Sequence, residues 1–169
     1  MNIVAQCIGL FGFLVFVSSV QVKEKKKLIL FQLVANFLYG VSYFLLNVKT
    51  AFFMNMVSVI RCAILYFTKQ EKPSKLFLFL LLAMIVVITI FTYDGPLSLL
   101  PTIITAMYTI STWQNNMTVI RYAFIAAGLL WIFYNFNVGA YVIIIGNIFE
   151  VISGIISLKR FQKKHVSND

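Results

Sequence analysis

Two ionisable side chains stand deep inside long apolar stretches, Arg61 and Glu150. A charge in hydrocarbon is costly, so each needs an opposite charge, a water or a polar solute beside it. Amides and hydroxyls accompany them at helical spacing. Asn55, Ser58 and Cys62 follow i, i+3, i+7, and Asn147, Glu150 and Gly154 repeat that spacing, so each set shares one helix face. Tyr43, Trp131 and Tyr134 add aromatic rings on neighbouring stretches. Amides beside aromatics suit a small polar solute with a flat apolar face, such as a sugar ring or a nucleoside. On this reading Asn55, Asn147, Trp131, Tyr43 and Tyr134 contact solute. Arg61 and Glu150 set the charge of the pocket, as an ion pair or with Glu150 exchanging a proton. The competing reading is structural: Arg61 and Glu150 clip two helices together, or Arg61 snorkels to the membrane surface.

Other polar features divide the same way. Thr102, Thr105, Thr109 and Thr112 form a stripe that serves helix packing as well as it serves a pore. Pro101 is expected to kink its helix, and Gly9, Gly12, Gly40 and Gly128 are soft points or close contacts. Cys7 and Cys62 lie in apolar stretches and offer neither metal spacing nor a disulfide framework. No HExxH, P-loop or GxSxG motif occurs, and the one histidine, His165, is near the C-terminus. The expectation is therefore no enzyme, no metal and no cofactor.

The elements that carry these residues follow from composition. The 169 residues are 61% hydrophobic and only 11% charged, against about 25% charged in a soluble domain. Apolar stretches at 3–22, 28–46, 51–68, 76–92, 97–113, 118–134 and 140–158 each approach the ~20 residues that cross a bilayer as a helix. The expected fold class is thus an all-α integral membrane protein with seven transmembrane helices. The first stretch lacks a basic leader and an A-x-A site, and reads as an uncleaved span. The net charge of +9 reads as topology signal rather than as a nucleic-acid footprint. Lys23, Lys25, Lys26, Lys27, Lys69, Lys72, Lys75, Arg121, Lys159, Arg160, Lys163 and Lys164 fall on one side and Lys49 alone on the other. That bias places the N-terminus outside and the C-terminus in the cytoplasm. The basic tail is expected to leave the last helix and fray into solvent.

The two ends of the chain resemble each other. Residues 38–43 align with 129–134 at a separation of 91, and 55–61 with 147–153 at 92, with one extra residue in the second turn. In that register Gly40 stands opposite Trp131. Two three-helix units, joined by a helix that restores their common direction, make a 3+1+3 parallel-repeat arrangement. The corresponding segments are 1–68, a loop and linker helix at 69–94, 95–158, and a basic tail at 159–169.

Phe31-Gln32 through Tyr43, Ala51 through Arg61, and Trp131 to Asn147 with Glu150 resemble the YgjV-type bacterial inner membrane proteins. More distantly, the 3+1+3 plan is similar to the SWEET and PQ-loop transporters and to PnuC-type vitamin transporters. In SWEETs an Asn on the third helix of each repeat and a Trp on the second line the sugar pocket. That resemblance implies the same role for Asn55, Asn147 and Trp131. The function expected is a small-solute transporter or facilitator working by alternating access, with a non-transporting accessory membrane protein as the alternative. Expected partners are a small polar solute and the lipid bilayer, with a homo-oligomer left open and no nucleic acid.

Overall fold

The computed structural model describes residues 3–68, 74–114 and 116–166, with side chains throughout except at 20, 142 and 161–166. The loop lysines Lys69 and Lys72, the turn residue Asn115 and the tail side chains Lys163, Lys164 and His165 fall outside that set. Among the described residues there are seven α-helices and no strands: α1 Ile3–Val20, α2 Lys25–Leu45, α3 Lys49–Phe67, α4 Lys75–Thr92, α5 Leu99–Trp113, α6 Met117–Asn137 and α7 Tyr141–Val166. A 3-10 turn, Pro96–Ser98, leads into α5. Helices α2, α3, α4 and α6 are long and apolar enough to cross a membrane, and α1 is apolar over Ile3–Ser19. Large apolar side chains cover the outside, among them Phe11, Phe37, Phe79, Phe91 and Phe133. An outer surface of this kind is matched to lipid tails and not to water.

Six helices close a ring. Helix α1 packs on α2, α2 on α3, α3 on α5, α5 on α6, α6 on α7, and α7 returns to α1. Helix α4 lies outside it against α3 and α5, burying only Leu81 and Ile85. In lipid, apolar contact between helices has no water-exclusion drive, so close packing and interhelical hydrogen bonds hold the ring. Ser42 Oγ donates to the Ala5 carbonyl at 2.7 Å, joining α2 to α1. Gln21 Nε2 donates to Ser153 Oγ at 2.6 Å beside α1 and α7, and Arg121 Nε to Ser157 Oγ at 2.8 Å between α6 and α7. Thr89 and Thr102 share a 2.8 Å hydroxyl contact between α4 and α5.

Structural features recur at one separation. Adding 92 to the ends of Lys25–Leu45 gives Met117–Asn137, the bounds of α6. Both helices end alike. Asn47 (φ 58°) and Gly139 (φ 72°) hold the left-handed position after the helix. The next amide returns to the carbonyl of Tyr43 (3.0 Å) in one turn and of Asn135 (2.9 Å) in the other. This is a Schellman cap, which spends otherwise orphaned carbonyls. Burial recurs at the same spacing. Ala51, Met54, Asn55, Ser58, Arg61, Cys62 and Leu65 are buried on α3, as are Ile143, Gly146, Asn147, Glu150, Ser153, Gly154 and Ser157 on α7. Gln6, Gly9, Gly12, Phe16 and Ser19 match Ser98, Pro101, Ile104, Tyr108 and Ser111.

Several expectations are corrected. A single separation of 92 sets Trp131 against Tyr39, not Gly40, because α2 and α6 have equal length and no residue is inserted. Pro101 does not kink α5. It is the third residue of that helix, where a backbone N–H has no intrahelical acceptor to lose. Helix α7 does not end at Leu158 but runs on to Val166. Arg121 is no loop residue: it lies in α6 and is buried.

Candidate functional site

A chain of polar side chains crosses the inside of the ring. Tyr43, at the end of α2, donates its hydroxyl to Asn135 Oδ1 at 3.0 Å. Asn135 Nδ2 donates to Asn147 Oδ1 at 3.0 Å, and Asn147 Nδ2 to Glu150 Oε2 at 3.2 Å. From α5, Tyr108 Oη donates to Glu150 Oε1 at 2.8 Å. Every donor in this series points towards Glu150, and each carboxylate oxygen receives one hydrogen bond. Tyr43, Asn135, Asn147 and Glu150 are all buried, Asn135 completely. The two Schellman-capped helix ends therefore meet through their own side chains, Tyr43 from one and Asn135 from the other.

Aromatic rings wall the chain. Tyr43 stacks on Trp131 at 5.9 Å with an 18° interplanar angle. Trp131 in turn meets Tyr134 edge-on at 5.5 Å. Phe16, Tyr108 and Phe124 form a mutual cluster at 5.4–6.3 Å. Between these rings and the polar chain lies a cavity of about 30 Å³, lined among others by Asn36, Asn55, Ser58, Trp131, Asn147 and Glu150. A water centre needs about 10–15 Å³, so this conformation has room for two or three waters. A sugar ring or nucleoside does not fit without opening.

The structure brings Tyr43, Asn55, Trp131, Asn147 and Glu150 to one cavity. Tyr134 stands behind Trp131 and Arg61 behind Tyr108. The expected Arg61–Glu150 ion pair is not formed. The Arg61 guanidinium lies 5.7 Å from the centre of the Tyr108 ring, and the far end of that ring holds Glu150. An aromatic side chain thus separates the charges, contacting the cation with its π face and the carboxylate with its hydroxyl. Arg61 does not snorkel either: only 1% of it is exposed. Lys27 and Glu24 pair at 3.0 Å on the surface instead.

The threonine stripe divides: Thr105 lines the cavity, and the other three serve packing. Thr109 and Thr112 return their hydroxyls to carbonyls of their own helix at 2.7 and 2.6 Å, and Thr102 bonds to α4. Asn55 Nδ2 also donates within its helix, to Ala51, while lining the cavity.

Two members of the chain escaped sequence reasoning. Asn135 reads as a turn residue by composition, yet it lies in the last turn of α6 and faces inward. Tyr108 is hidden among threonines. Its signal was its place three residues after Thr105 and 92 after Phe16, a buried aromatic in each case.

A family profile described as a bacterial inner membrane protein, Imp-YgjV, matches residues 3–165. The chain belongs to the YgjV family of bacterial inner membrane proteins. The apolar helices and lipid-matched exterior of this YgjV-family chain agree with that location. No curated protein and no solved structure matches the chain.

Proposed function

We propose that this inner membrane protein is a small-solute transporter or facilitator, built from two parallel three-helix units, α1–α3 and α5–α7, with α4 as the linker. The observation that carries this reading is the hydrogen-bonded chain from Tyr43 to Glu150, which joins the two units by side chains alone. Recurrence of helix ends, caps and buried positions at one separation of 92 supports the two-unit plan. Parallel repeats around a midplane polar site are an established transporter plan, and the likeness to SWEET and PnuC-type plans points the same way. Solute contacts come from Asn55, Asn147, Trp131 and Tyr43, with Tyr134 backing Trp131. Rocking one unit against the other breaks and remakes the Tyr43–Asn135 contact. The lysine bias puts the N-terminus outside and the C-terminus in the cytoplasm.

The test is uptake into proteoliposomes across a panel of sugars, nucleosides, vitamins and small ions. The reading expects saturable flux of one class that is lost in Asn55→Ala plus Asn147→Ala. Flux surviving in that double variant refutes the site.

A second reading has its own observation. The chain is internally satisfied and its cavity admits only two or three waters. A non-transporting accessory protein with a polar clasp has the same geometry. It predicts no flux of any solute, together with a large stability loss when the chain is broken.

A further inference from the structure

Buried polar groups are almost always hydrogen-bonded, and a buried charge without a partner is more costly still. Arg61 departs from both rules. It is the largest of the fully buried side chains. Its Nε and Nη1 have no hydrogen-bond partner among the described residues. Its Nη2 reaches only the Cys62 thiol, at 3.7 Å, a weak acceptor. Glu150 does not serve it, because Tyr108 stands between them.

A second orphan stands on α2. Gln32 on α2 is fully buried, and neither its Nε2 nor its Oε1 has a partner. Asn36, one turn further along α2, donates to the Gln32 carbonyl at 2.6 Å and brings its Nδ2 to 4.0 Å from Cys62 Sγ. The Arg61 guanidinium and the Asn36 amide thus converge on one sulfur, with Gln32 one turn away. Asn36 also lines the central cavity and is the one member of this cluster that does.

We infer that Arg61, with the Gln32 and Asn36 amides, binds a small free oxyanion, an acetate- or phosphate-sized group. This goes beyond the transport reading, whose solute contacts are other residues, and binding itself needs no flux. The guanidinium supplies the charge and the free N–H donors, and the amides supply neutral donors. A neutral sugar satisfies the amides and leaves Arg61 uncompensated, which is why the donors select an anion.

The experiment is thermal unfolding of purified protein in a non-ionic detergent, with sodium acetate, phosphate and sulfate as probes. Sodium chloride at equal ionic strength is the control. At least one oxyanion is expected to raise the unfolding temperature saturably above the control. In Arg61→Gln the rise should vanish, and in Gln32→Leu the apparent affinity should fall about tenfold, as for one hydrogen bond to a charged group. Gln32→Leu removes an unpartnered amide and is expected to fold at least as stably as wild type, so it decides the matter if Arg61→Gln does not fold. No oxyanion effect beyond the control, or an equal effect in Gln32→Leu, overturns the inference. Stabilisation by phosphatidylglycerol but by no free anion also overturns it, assigning the donors to a lipid headgroup. Anion binding without flux of any solute in the uptake panel refutes transport and leaves the site standing. Flux of a neutral solute without anion binding does the reverse.

Discussion

Asn135 is the point at which the polar chain can be cut with the least ambiguity. It is completely buried and makes two side-chain hydrogen bonds, one to Tyr43 and one to Asn147, each at 3.0 Å. Asn135→Leu keeps much of the volume and removes both bonds. It strands the Tyr43 hydroxyl and the Asn147 carbonyl oxygen in the buried interior. Each stranded group costs about 1–3 kcal/mol, so about 2–6 kcal/mol is lost in total. Tyr43→Phe strands only Asn135 Oδ1 and should cost about 1–3 kcal/mol. The direct Tyr43–Asn135 contribution is smaller, since hydrogen bonds within membranes couple by about 0.6 kcal/mol on average and about 1.7 kcal/mol at most. The assay is reversible unfolding in mixed micelles with increasing dodecyl sulfate, on wild type, both single variants and the double variant. The cycle should return a coupling in that range, with the double variant less destabilised than the sum of the singles. Asn135→Leu as stable as wild type, or strictly additive variants, refutes the hydrogen-bonded chain as the link between the two halves.

Other outcomes follow from the same geometry. The charge swap Arg61→Glu plus Glu150→Arg should not recover the stability lost by Glu150→Gln, because Tyr108 separates the two sites; recovery to the wild-type midpoint in the same unfolding assay contradicts this. A Cβ at Gly128 meets Val151 Cγ2 at 2.7 Å, so Gly128→Ala should cost about 1–3 kcal/mol by overpacking, and a neutral change would mean that α6 and α7 are not in close contact there. Gly139 holds φ 72° with open space around a Cβ, and the corresponding turn uses Asn47. Gly139→Asn should therefore be near neutral, whereas Gly139→Val should cost about 1–2 kcal/mol, and equal midpoints for the two would refute the left-handed cap.

Much of the fold was legible because lipid imposes simple demands. Each helix must be long and apolar, and polar clusters must fall between helices, so six of the seven helices begin and end within about three residues of the apolar stretches read from sequence. The end of α7 was missed because charged residues mark where lipid stops and not where a helix stops. The site was legible at Asn55, Asn147 and Glu150, whose polarity conflicts with their surroundings. It was not legible at Tyr108, because an aromatic in an apolar stretch conflicts with nothing and its role appears only when Arg61 and Glu150 are seen on either side of it. Asn135 was missed because an amide near a helix end is common chemistry for a turn, and only the Schellman geometry turns it inward. Depth along a helix suggested an Arg61–Glu150 pair, but depth fixes height in the membrane and not direction around the ring.

The central claim is that the cavity between the two units opens to each face of the membrane in turn. Ser58 lines that cavity, and cysteine is its near-isosteric replacement. In a Cys7→Ser, Cys62→Ala background, Ser58→Cys should be labelled by a membrane-impermeant methanethiosulfonate reagent added to either side of sealed vesicles of known orientation. Labelling from both sides, slowed by the transported solute, is the result predicted. A thiol that reacts from one side only, or from neither, contradicts alternating access and leaves the polar chain a structural clasp.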